Sequence, residues 1–414
     1  LMWALLAVGF NQGWFSIVDY HGHIFQIDQP DTDAQLYGFK ANLMHHFSSI
    51  GEILFFLIGA MTIVEIIDLH RGFGIIKKVI KPKSKVKLLW ILGALAFVLS
   101  AIIDNLTATI ILITLLRKIL VRHQYRVWYA SMIIIAANAG GAWSPIGDVT
   151  TTMLWIGGKV TALGLSEYLI VPSLVCFVVP FSTATQLKPF NGKAMRTETI
   201  IDEEAERLLS SKTMLYVGLA GIAFVPIFKG VTGLPPYLGM MFSLGVVWLV
   251  SEYVRPVKNL PKKQKHLYST HKALSKIEFS SILFFLGILL SVAALESLVY
   301  GSIGGEEVGT LRYVAEKVSA AIPNMDVVVL LLGALSALID NVPMVAATMG
   351  MYTFETDSPI WHFIAFSAGT GGSLLVIGSA AGVAAMGMEK IDFIWYLKKI
   401  AWLAAIGFTS GALT

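Results

Sequence analysis

The sequence predicts an all-α polytopic membrane protein, because of its composition and its long apolar runs. Hydrophobic residues make up 56% of the 414 residues and charged residues only 14%, and the mean hydropathy is +0.71. Runs such as 53–67 and 281–295 approach the roughly 20 apolar residues that cross a hydrocarbon core of about 30 Å. They lack the alternation that is typical of transmembrane β-strands, so we expect helices.

The remaining composition argues against two other classes of protein. The net charge of +4 comes from Lys and Arg in loops between apolar runs, without the aromatic-interleaved basic groove typical of nucleic-acid binding. The chain has no Gly-x-Ser-x-Gly, metalloprotease or P-loop motif, so we expect neither an enzyme nor a cofactor. The single cysteine, Cys176, allows no intrachain disulfide.

Eleven apolar elements follow one another, and two of them are predicted to be re-entrant hairpins. Asp-Asn pairs that begin at Asp104 and Asp340 interrupt the elements 88–116 and 326–352 near their middles. At 1.5 Å per residue the shorter arms cannot cross the hydrocarbon, so each element is expected to enter and leave on one face. The predicted elements are 1–18, 50–68, 88–116, 128–156, 166–186, 213–229, 236–254, 278–299, 326–352, 361–388 and 392–412.

The distribution of basic residues predicts an orientation. If neither hairpin crosses, 26 of the 31 Lys and Arg residues fall on one side of the membrane. The positive-inside rule then makes that side cytoplasmic, and we expect a bacterial inner membrane. The basic loops are 69–87, 117–126, 188–212, 251–277 and 389–399.

Two halves of the chain resemble each other in the same order, which predicts an internal repeat. The sequence ILFFL occurs at 53–57 and again at 282–286, and SAIIDN at 100–105 corresponds to SALIDN at 336–341. Counting the crossings places the two copies in opposite orientations. The second copy has one more span before its ILFFL helix, so we expect at least one further helix to precede residue 1. The predicted units are a first repeat core at 50–186 and a second repeat at 213–414, within a single transporter of residues 1–414.

Polar residues at membrane depth are costly, so each is a candidate functional residue. Asp104 and Asp340 lie at the hairpin tips, and Asp148 lies in the first of two helices, 128–156 and 361–388, that glycine pairs interrupt. Two simpler interpretations compete: Asp-Asn can merely cap a helix, and glycine pairs can merely allow close helix packing. The recurrence of both features at equivalent repeat positions favours a binding site.

The residue types at these breaks are typical of a cation site. Broken helices present free backbone groups, and the oxygens of Asp, Asn, Ser and Thr suit Na⁺ or Li⁺. Three carboxylates attract a cation, and without one they would hold protons, so cation and proton would compete for the same oxygens. The predicted function is antiport of Na⁺ or Li⁺ against H⁺, with the ion held by Asp104, Asn105, Asn138, Asp148, Asp340 and Asn341, and with Thr107, Thr150 and Thr151 in the wider cation- and proton-binding set.

Two further carboxylates lie near the ends of the paired ILFFL helices. Glu65 and Glu296 are candidates for a proton relay. The alternative is that a carboxylate at a helix end reaches the membrane interface and has no role in transport.

The stretches SAIIDNLTAT at 100–109 and SPIGDVTTTMLW at 144–155 resemble NhaD-type Na⁺/H⁺ antiporters of the ion transporter superfamily. The resemblance extends over about 52–388. It implies a homodimer in the lipid bilayer and a transport domain that moves as an elevator. It also implies site roles for residues at the tips and breaks, and it adds three serines to the predicted cation- and proton-binding set. The residues with implied roles are Asp104, Asn105, Asn138, Asp148, Thr150, Thr151, Ser336, Asp340, Asn341, Ser373 and Ser379.

An anion transporter of the same fold, for citrate, a dicarboxylate or arsenite, is the alternative. Dicarboxylate carriers of this superfamily have Ser-Asn-Thr at both tips, whereas this chain has Asp-Asn-Leu-Thr and Asp-Asn-Val-Pro. An anion would also require a neutral or cationic pocket, and neither the tips nor the broken helices contain Lys or Arg. These departures argue against a dicarboxylate.

Overall fold

A computed structural model describes residues 1–19, 21–26, 32–74, 80, 84–192, 210–254 and 270–414 of the chain. The described part is mostly helical, as the composition predicts. Much of the predicted basic loops 69–87, 188–212 and 251–277 lies outside the described residues. The α-helices are α1 (Met2–Asn11), α2 (Thr32–Leu69), α3 (Lys85–Ile102), α4 (Asn105–Ile119), α5 (His123–Ala142), α6 (Val149–Ile156), α7 (Ala162–Ala184), α8 (Ser210–Thr232), α9 (Pro236–Tyr253), α10 (Thr270–Leu274), α11 (Phe279–Ser297), α12 (Thr310–Ala321), α13 (Met325–Ile339), α14 (Asn341–Met351), α15 (Pro359–Gly371), α16 (Ala380–Glu389), α17 (Phe393–Lys399) and α18 (Ala401–Ala412).

Two short antiparallel β-hairpins accompany the helices. Strand β1 (Ile17–Val18) pairs with β2 (Ile24–Phe25), and β3 (Val299–Ile303) pairs with β4 (Glu306–Gly309). The turn between β3 and β4 contains Gly304 and Gly305 at φ +62° and +95°, which only glycine adopts without strain. A bridge between Ile17 and Leu298 joins the two hairpins. The β3–β4 hairpin leads into α12, and this whole segment was not predicted.

Among the described residues, five helices are long and apolar enough to cross a membrane, and the pair α12–α13, bent by 119°, would make a sixth span. The five are α2, α3, α7, α8 and α11. Their length and apolar composition make the chain an all-α polytopic membrane protein. Some bounds differ from those predicted. Helix α2 has 38 residues and begins well before residue 50, whereas α1 has only 10.

Four of the predicted elements are each divided into two helices where the sequence predicts a break, and a fifth, 392–412, is divided between α17 and α18 without such a prediction. The four predicted breaks separate α3 from α4, α5 from α6, α13 from α14, and α15 from α16. In each case a polar residue caps the second helix: its side chain accepts a hydrogen bond from a backbone N–H of the first turn. We call the four second helices, α4, α6, α14 and α16, the site half-helices. Their caps are Asp104, Asp148, Asp340 and Ser379.

The helices pack in two neighbouring groups. In one, α5 contacts α3, α4, α7, α15 and α16, and α18 packs against α7. In the other, α2, α8 and α9 contact one another, and α11 packs against α2. Helices α6 and α14 lie where the groups meet, since α6 contacts α2, α14 and α15, and α14 contacts α11. Helices α6 and α14 therefore lie between the two groups.

Candidate ion-binding site

Asp148 is a buried carboxylate at the start of α6. Only 2% of the residue is exposed. Its Oδ1 accepts hydrogen bonds from the backbone N–H and the hydroxyl of Thr150, both at 2.9 Å. Pro145 and Gly147 precede it in the segment that ends α5, where a helix cannot continue without strain. The break therefore places a charged group in the protein interior, supported by the first turn of the next helix.

Two asparagines from different halves of the chain bind this carboxylate. Asn105 is the first residue of α4, and its Nδ2 donates to Asp148 Oδ2 at 2.6 Å. Asn341 is the first residue of α14, and its Nδ2 lies 3.3 Å from Oδ1 and 3.2 Å from Oδ2. Both asparagines are 5% exposed or less. The two predicted hairpin tips thus meet at the first broken helix.

Asn138 extends the cluster to the second broken helix. It lies on α5, is fully buried, and its Oδ1 accepts from Asn105 Nδ2 at 3.1 Å. Its own Nδ2 donates to the hydroxyl of Ser373 at 2.9 Å and to that of Ser379 at 3.0 Å. We call Asn105, Asn138, Asp148, Thr150, Asn341, Ser373 and Ser379 the central cluster.

The amino-terminal ends of all four site half-helices meet at this cluster. Each end carries a partial positive charge from its backbone dipoles and unpaired N–H groups, and such ends favour negative charge. Three of the four are capped by Asp104, Asp148 and Asp340. The protein therefore supplies its own anions at the helix ends, and the excess carboxylate charge favours a cation.

The other predicted residues lie beside the cluster, and their hydrogen bonds are made within their own helix ends and loops. Both oxygens of Asp104 accept from Thr107, at 2.8 Å from the backbone N–H and 2.6 Å from the hydroxyl. Asp340 Oδ1 accepts from the backbone N–H of Asn341 at 2.8 Å. The hydroxyl of Thr151 donates to the carbonyls of Ser144 and Asp148. Asp104, Thr107 and Asp340 are partly exposed next to the central cluster, whereas Thr151 fixes the loop.

Asp340 also has an unusual backbone conformation. Its φ is +79° and its ψ is 146°, a region that non-glycine residues rarely adopt. Asp104 at the equivalent position has φ −58°. The two predicted tips therefore share the Asp-Asn pair but not a backbone conformation, and the strain lies at the second tip only.

The same helix contacts recur in both halves of the chain. Ser100 on α3 donates to the carbonyl of Ala137 on α5 at 2.6 Å, and Ser336 on α13 lies 3.2 Å from the carbonyl of Ala368 on α15. A side chain at Gly140 would collide with the Phe97 carbonyl, and one at Gly371 with the Gly333 carbonyl. This recurrence supports the predicted repeat, whereas its inverted orientation stays a prediction.

Glu65 and Glu296, the predicted proton relays, lie away from the central cluster. Glu65 Oε2 is 3.8 Å from the Lys276 ammonium, and Glu296 packs beside Gly350 on α14. Among the described residues no hydrogen bond joins either carboxylate to Asp148. A relay through them stays a prediction.

Basic side chains bind the far ends of two site half-helices, α16 and α6, and neither contact was predicted. Arg117 and Arg126 bind the fully buried carboxylate of Glu389, at the end of α16, at 2.6 and 3.0 Å. Lys229 on α8 donates to the Trp155 carbonyl near the end of α6 at 2.7 Å. Because these partners are far apart in the chain, the sequence offered no signal for either contact.

A membrane protein in which four divided helical elements meet at a buried polar cluster belongs to the class of integral membrane transporters. The family model described as "Citrate transporter" matches residues 4–358. The chain belongs to this family and, by its similarity to proteins named NhaD, to the NhaD-type Na⁺/H⁺ antiporters within the ion transporter superfamily.

Several relatives have names that describe sodium/proton exchange. The chain is 46% identical to Sodium/proton antiporter 1 of Arabidopsis thaliana, over 93% of this chain and 64% of that protein. It is 43% identical to Sodium/proton antiporter 2 of the same plant, over 90% and 86% of the two lengths. It is 31% identical to the Na⁺/H⁺ antiporter NhaD of Alkalimonas amylolytica, over 88% and 80%. These names support Na⁺/H⁺ antiport better than the citrate transport in the family description.

Proposed function

We propose that this chain is a secondary antiporter that exchanges Na⁺ or Li⁺ for H⁺, and that Asp148 binds the cation and the proton in alternation. The observation that carries the proposal is the environment of this carboxylate. It is buried, its hydrogen-bond partners are the neutral side chains of Asn105, Thr150 and Asn341 and one backbone N–H, and among the described residues no basic side chain pairs with it.

The neighbouring side chains can provide oxygen ligands for the ion. Each asparagine that donates an Nδ2 group to Asp148 also carries an Oδ1, so rotation of the amide by half a turn presents an oxygen in place of the donor. Asn105 and Asn341 would turn in this way when a cation approaches. The hydroxyl of Thr150 already lies 2.9 Å from the carboxylate. Small hard cations prefer such oxygen ligands.

Protonation supplies the other half of the exchange. A carboxylate buried without a cation is costly, and adding a proton removes that cost. Because Na⁺ and H⁺ would occupy the same oxygens, each would displace the other. Alternation between them couples the two gradients without a nucleotide.

Several finer features belong to the same proposal. The basic loops face the cytoplasm, two copies of the chain form a homodimer, and the membrane is a bacterial inner membrane or, as the plant relatives suggest, an equivalent membrane elsewhere. Proteoliposomes with oriented protein and cross-linking in membranes test the first two features. None of them is needed for the chemistry at Asp148.

Citrate or another anion is the second candidate cargo, because the family is described as citrate transporters and helix amino termini favour anions. The three Asp caps oppose it. The two candidates differ in the sign of the cargo's charge, so they can be separated with salts.

The test measures proton release from acid-loaded proteoliposomes with a pH-sensitive dye. NaCl and LiCl are expected to release protons, KCl and potassium citrate are not, and Asp148→Asn is expected to abolish the response. The matched control is Asp326→Asn, at an exposed carboxylate in the first turn of α13. A response to potassium citrate but not to chloride salts would mean that the cargo is an anion. Normal exchange in Asp148→Asn would remove this residue from the mechanism.

Competition gives a second test of the same site. If one proton and one Na⁺ exclude each other, the apparent KM for Na⁺ rises by up to about tenfold for each unit by which the pH falls below the range where the site loses its proton. A KM that is independent of pH, with a falling maximal rate, would show that protons act elsewhere.

A further inference from the structure

Helix α6 is short, and each of its ends is held by a different part of the protein. It has eight residues, which is about 12 Å of helix. Asp148, which caps the start of α6, and Thr150 in its first turn belong to the central cluster. Its last turn contains Trp155, which is 1% exposed. An element this short and this buried transmits a displacement of one end to the other.

Lys229 holds the far end of α6. Its Nζ donates to the Trp155 carbonyl at 2.7 Å and lies 4.9 Å from the centre of the Trp155 ring. The last carbonyls of a helix carry partial negative charge, so a cation there is favourable. The backbone N–H of Gly158 also donates to the Trp155 carbonyl, at 3.3 Å, so Lys229 is its shorter partner and its charged one. The ring face adds a cation–π contact. Glu52 on α2 adds an electrostatic attraction to the same ammonium group.

The anchor comes from the group of helices that does not form the central cluster. Lys229 lies near the end of α8, which packs against α2 and α9. Phe56 on α2 meets the edge of the same Trp155 ring, with 6.0 Å between ring centres. Helix α6 therefore joins the central cluster at its start to the α2–α8–α9 group at its end.

Helix α16, the counterpart of α6 in the second half, is held differently. It begins after Ser379 in the central cluster and ends at Glu389, whose carboxylate binds Arg117 and Arg126 and whose carbonyl lies 2.7 Å from His123 Nε2. These three residues belong to α4 and α5, helices that themselves contribute to the cluster. Basic side chains bind the ends of both half-helices. Of the two, only α6 is bound by a residue, Lys229, from a helix that does not contribute to the central cluster.

We propose that Lys229 is a positioning residue that sets the cation affinity of Asp148 by fixing α6. The proposal rests on the proposed function, since it concerns affinity at the same carboxylate. Lys229 itself touches no residue of the central cluster in any hydrogen bond of the described residues. Its effect is transmitted along the eight residues of α6.

The first experiment measures hydrogen exchange of the purified chain, and it needs no ion. Lys229→Met is expected to accelerate amide exchange in 149–156 by about tenfold or more, since the Trp155 carbonyl loses its charged partner and keeps the longer bond from the Gly158 N–H. Exchange in 380–389 is expected to stay unchanged. The conservative variant Lys229→Arg restores protection, and the control Lys40→Met, at an exposed lysine of α2, has no effect. Unchanged exchange in 149–156 would overturn the proposal.

The second experiment separates affinity from rate. In proteoliposomes Lys229→Met is expected to raise the KM for Na⁺ by about tenfold, as loss of a supporting contact does at other ion sites, with a maximal rate within about twofold of the original. Lys229→Arg returns the KM toward the original value. A lowered rate at unchanged KM would overturn the proposal.

Failure of the proposed function is distinguishable from failure of this inference. If the unaltered chain exchanges neither Na⁺ nor Li⁺ for protons, the function is wrong, and hydrogen exchange alone decides whether Lys229 fixes α6. If Lys229→Met does not fold, Lys229→Ala, which also removes both the donor and the charge, takes its place in both experiments.

Discussion

Asp148 and Asn341 lie 193 residues apart in the chain, and the Asn341 amide donates to both carboxylate oxygens, at 3.3 and 3.2 Å. The contact joins the first broken helix to the tip of the second predicted hairpin. A hydrogen bond to a buried charge is among the stronger ones in proteins. The site is therefore complete only when both halves of the chain are folded against each other.

The first prediction concerns this contact. Asn341→Ala is expected to cost about 1.5–3 kcal/mol of stability, because a buried carboxylate loses a donor, and to abolish most of the exchange. Thermal unfolding in detergent and proton release from proteoliposomes measure the two effects. Wild-type stability together with wild-type exchange would exclude Asn341 from the site.

The second prediction separates two threonines in the first turns of α4. Thr107→Val removes the hydroxyl that binds Asp104 Oδ2, and it is expected to destabilise the start of α4 by about 1 kcal/mol and to alter the KM for Na⁺. Thr109→Val is the matched control, since the buried Thr109 hydroxyl has no hydrogen-bond partner among the described residues. Equal effects of the two substitutions on stability and KM would contradict the assignment.

The third prediction concerns the close packing of broken helices on hairpins. Gly140→Ala and Gly371→Ala each place a methyl group against a backbone carbonyl, so each is expected to cost about 1–3 kcal/mol or more. Gly51→Ala and Gly287→Ala, where a methyl group meets nothing within 4 Å, are expected to be neutral or to stabilise the helix by up to about 1 kcal/mol. Melting temperatures of all four variants test the contrast.

The fourth prediction concerns the ion pairs of the buried Glu389 carboxylate at the end of α16. Glu389→Ala removes the carboxylate shared by Arg117 and Arg126, whose side chains are 45% and 19% exposed, and it is expected to cost about 1.5–3 kcal/mol and to lower the yield of folded protein. Glu316→Ala, at an exposed position of α12, serves as the control. A folded Glu389→Ala variant with an unchanged melting temperature would mean that the ion pairs contribute nothing to stability.

The fifth prediction concerns the strained backbone of Asp340. Asp340→Gly is expected to relieve about 1–3 kcal/mol of strain and to lose only a few tenths of a kcal/mol of capping, so the melting temperature rises while exchange is lost. A variant that is both less stable and fully active would reverse the interpretation.

The breaks in the helices could be predicted because they depend on local chemistry. Asp-Asn pairs, glycine pairs and Pro145 interrupt apolar runs, and the structure divides these runs where expected. The meeting of Asn105, Asn138 and Asn341 at Asp148 could be anticipated only from the repeat, since no local pattern specifies it.

Other features could not be predicted. Some depend on contacts between residues far apart in the chain, and others lie in helices whose sequence is not a continuous apolar run. The pairing of Glu389 with Arg117 spans 272 residues. Helix α12 is amphipathic, with Leu311 and Ala315 buried beside exposed charges, and it lacks the continuous apolar run by which spans were sought. The early start of α2 was not predicted for the same reason, because the first turns of this helix are polar.

Helix α2 is too long to be contained in a lipid bilayer. Its 38 residues correspond to about 57 Å, nearly twice the thickness of the hydrocarbon core. A tilt of about 60° would be needed to keep it inside, far beyond the roughly 20° that is usual. Its first turns, from Thr32 to about His46, therefore project beyond the lipid tails. The β1–β2 hairpin, which packs against this section, therefore stands in the aqueous phase or among the lipid headgroups.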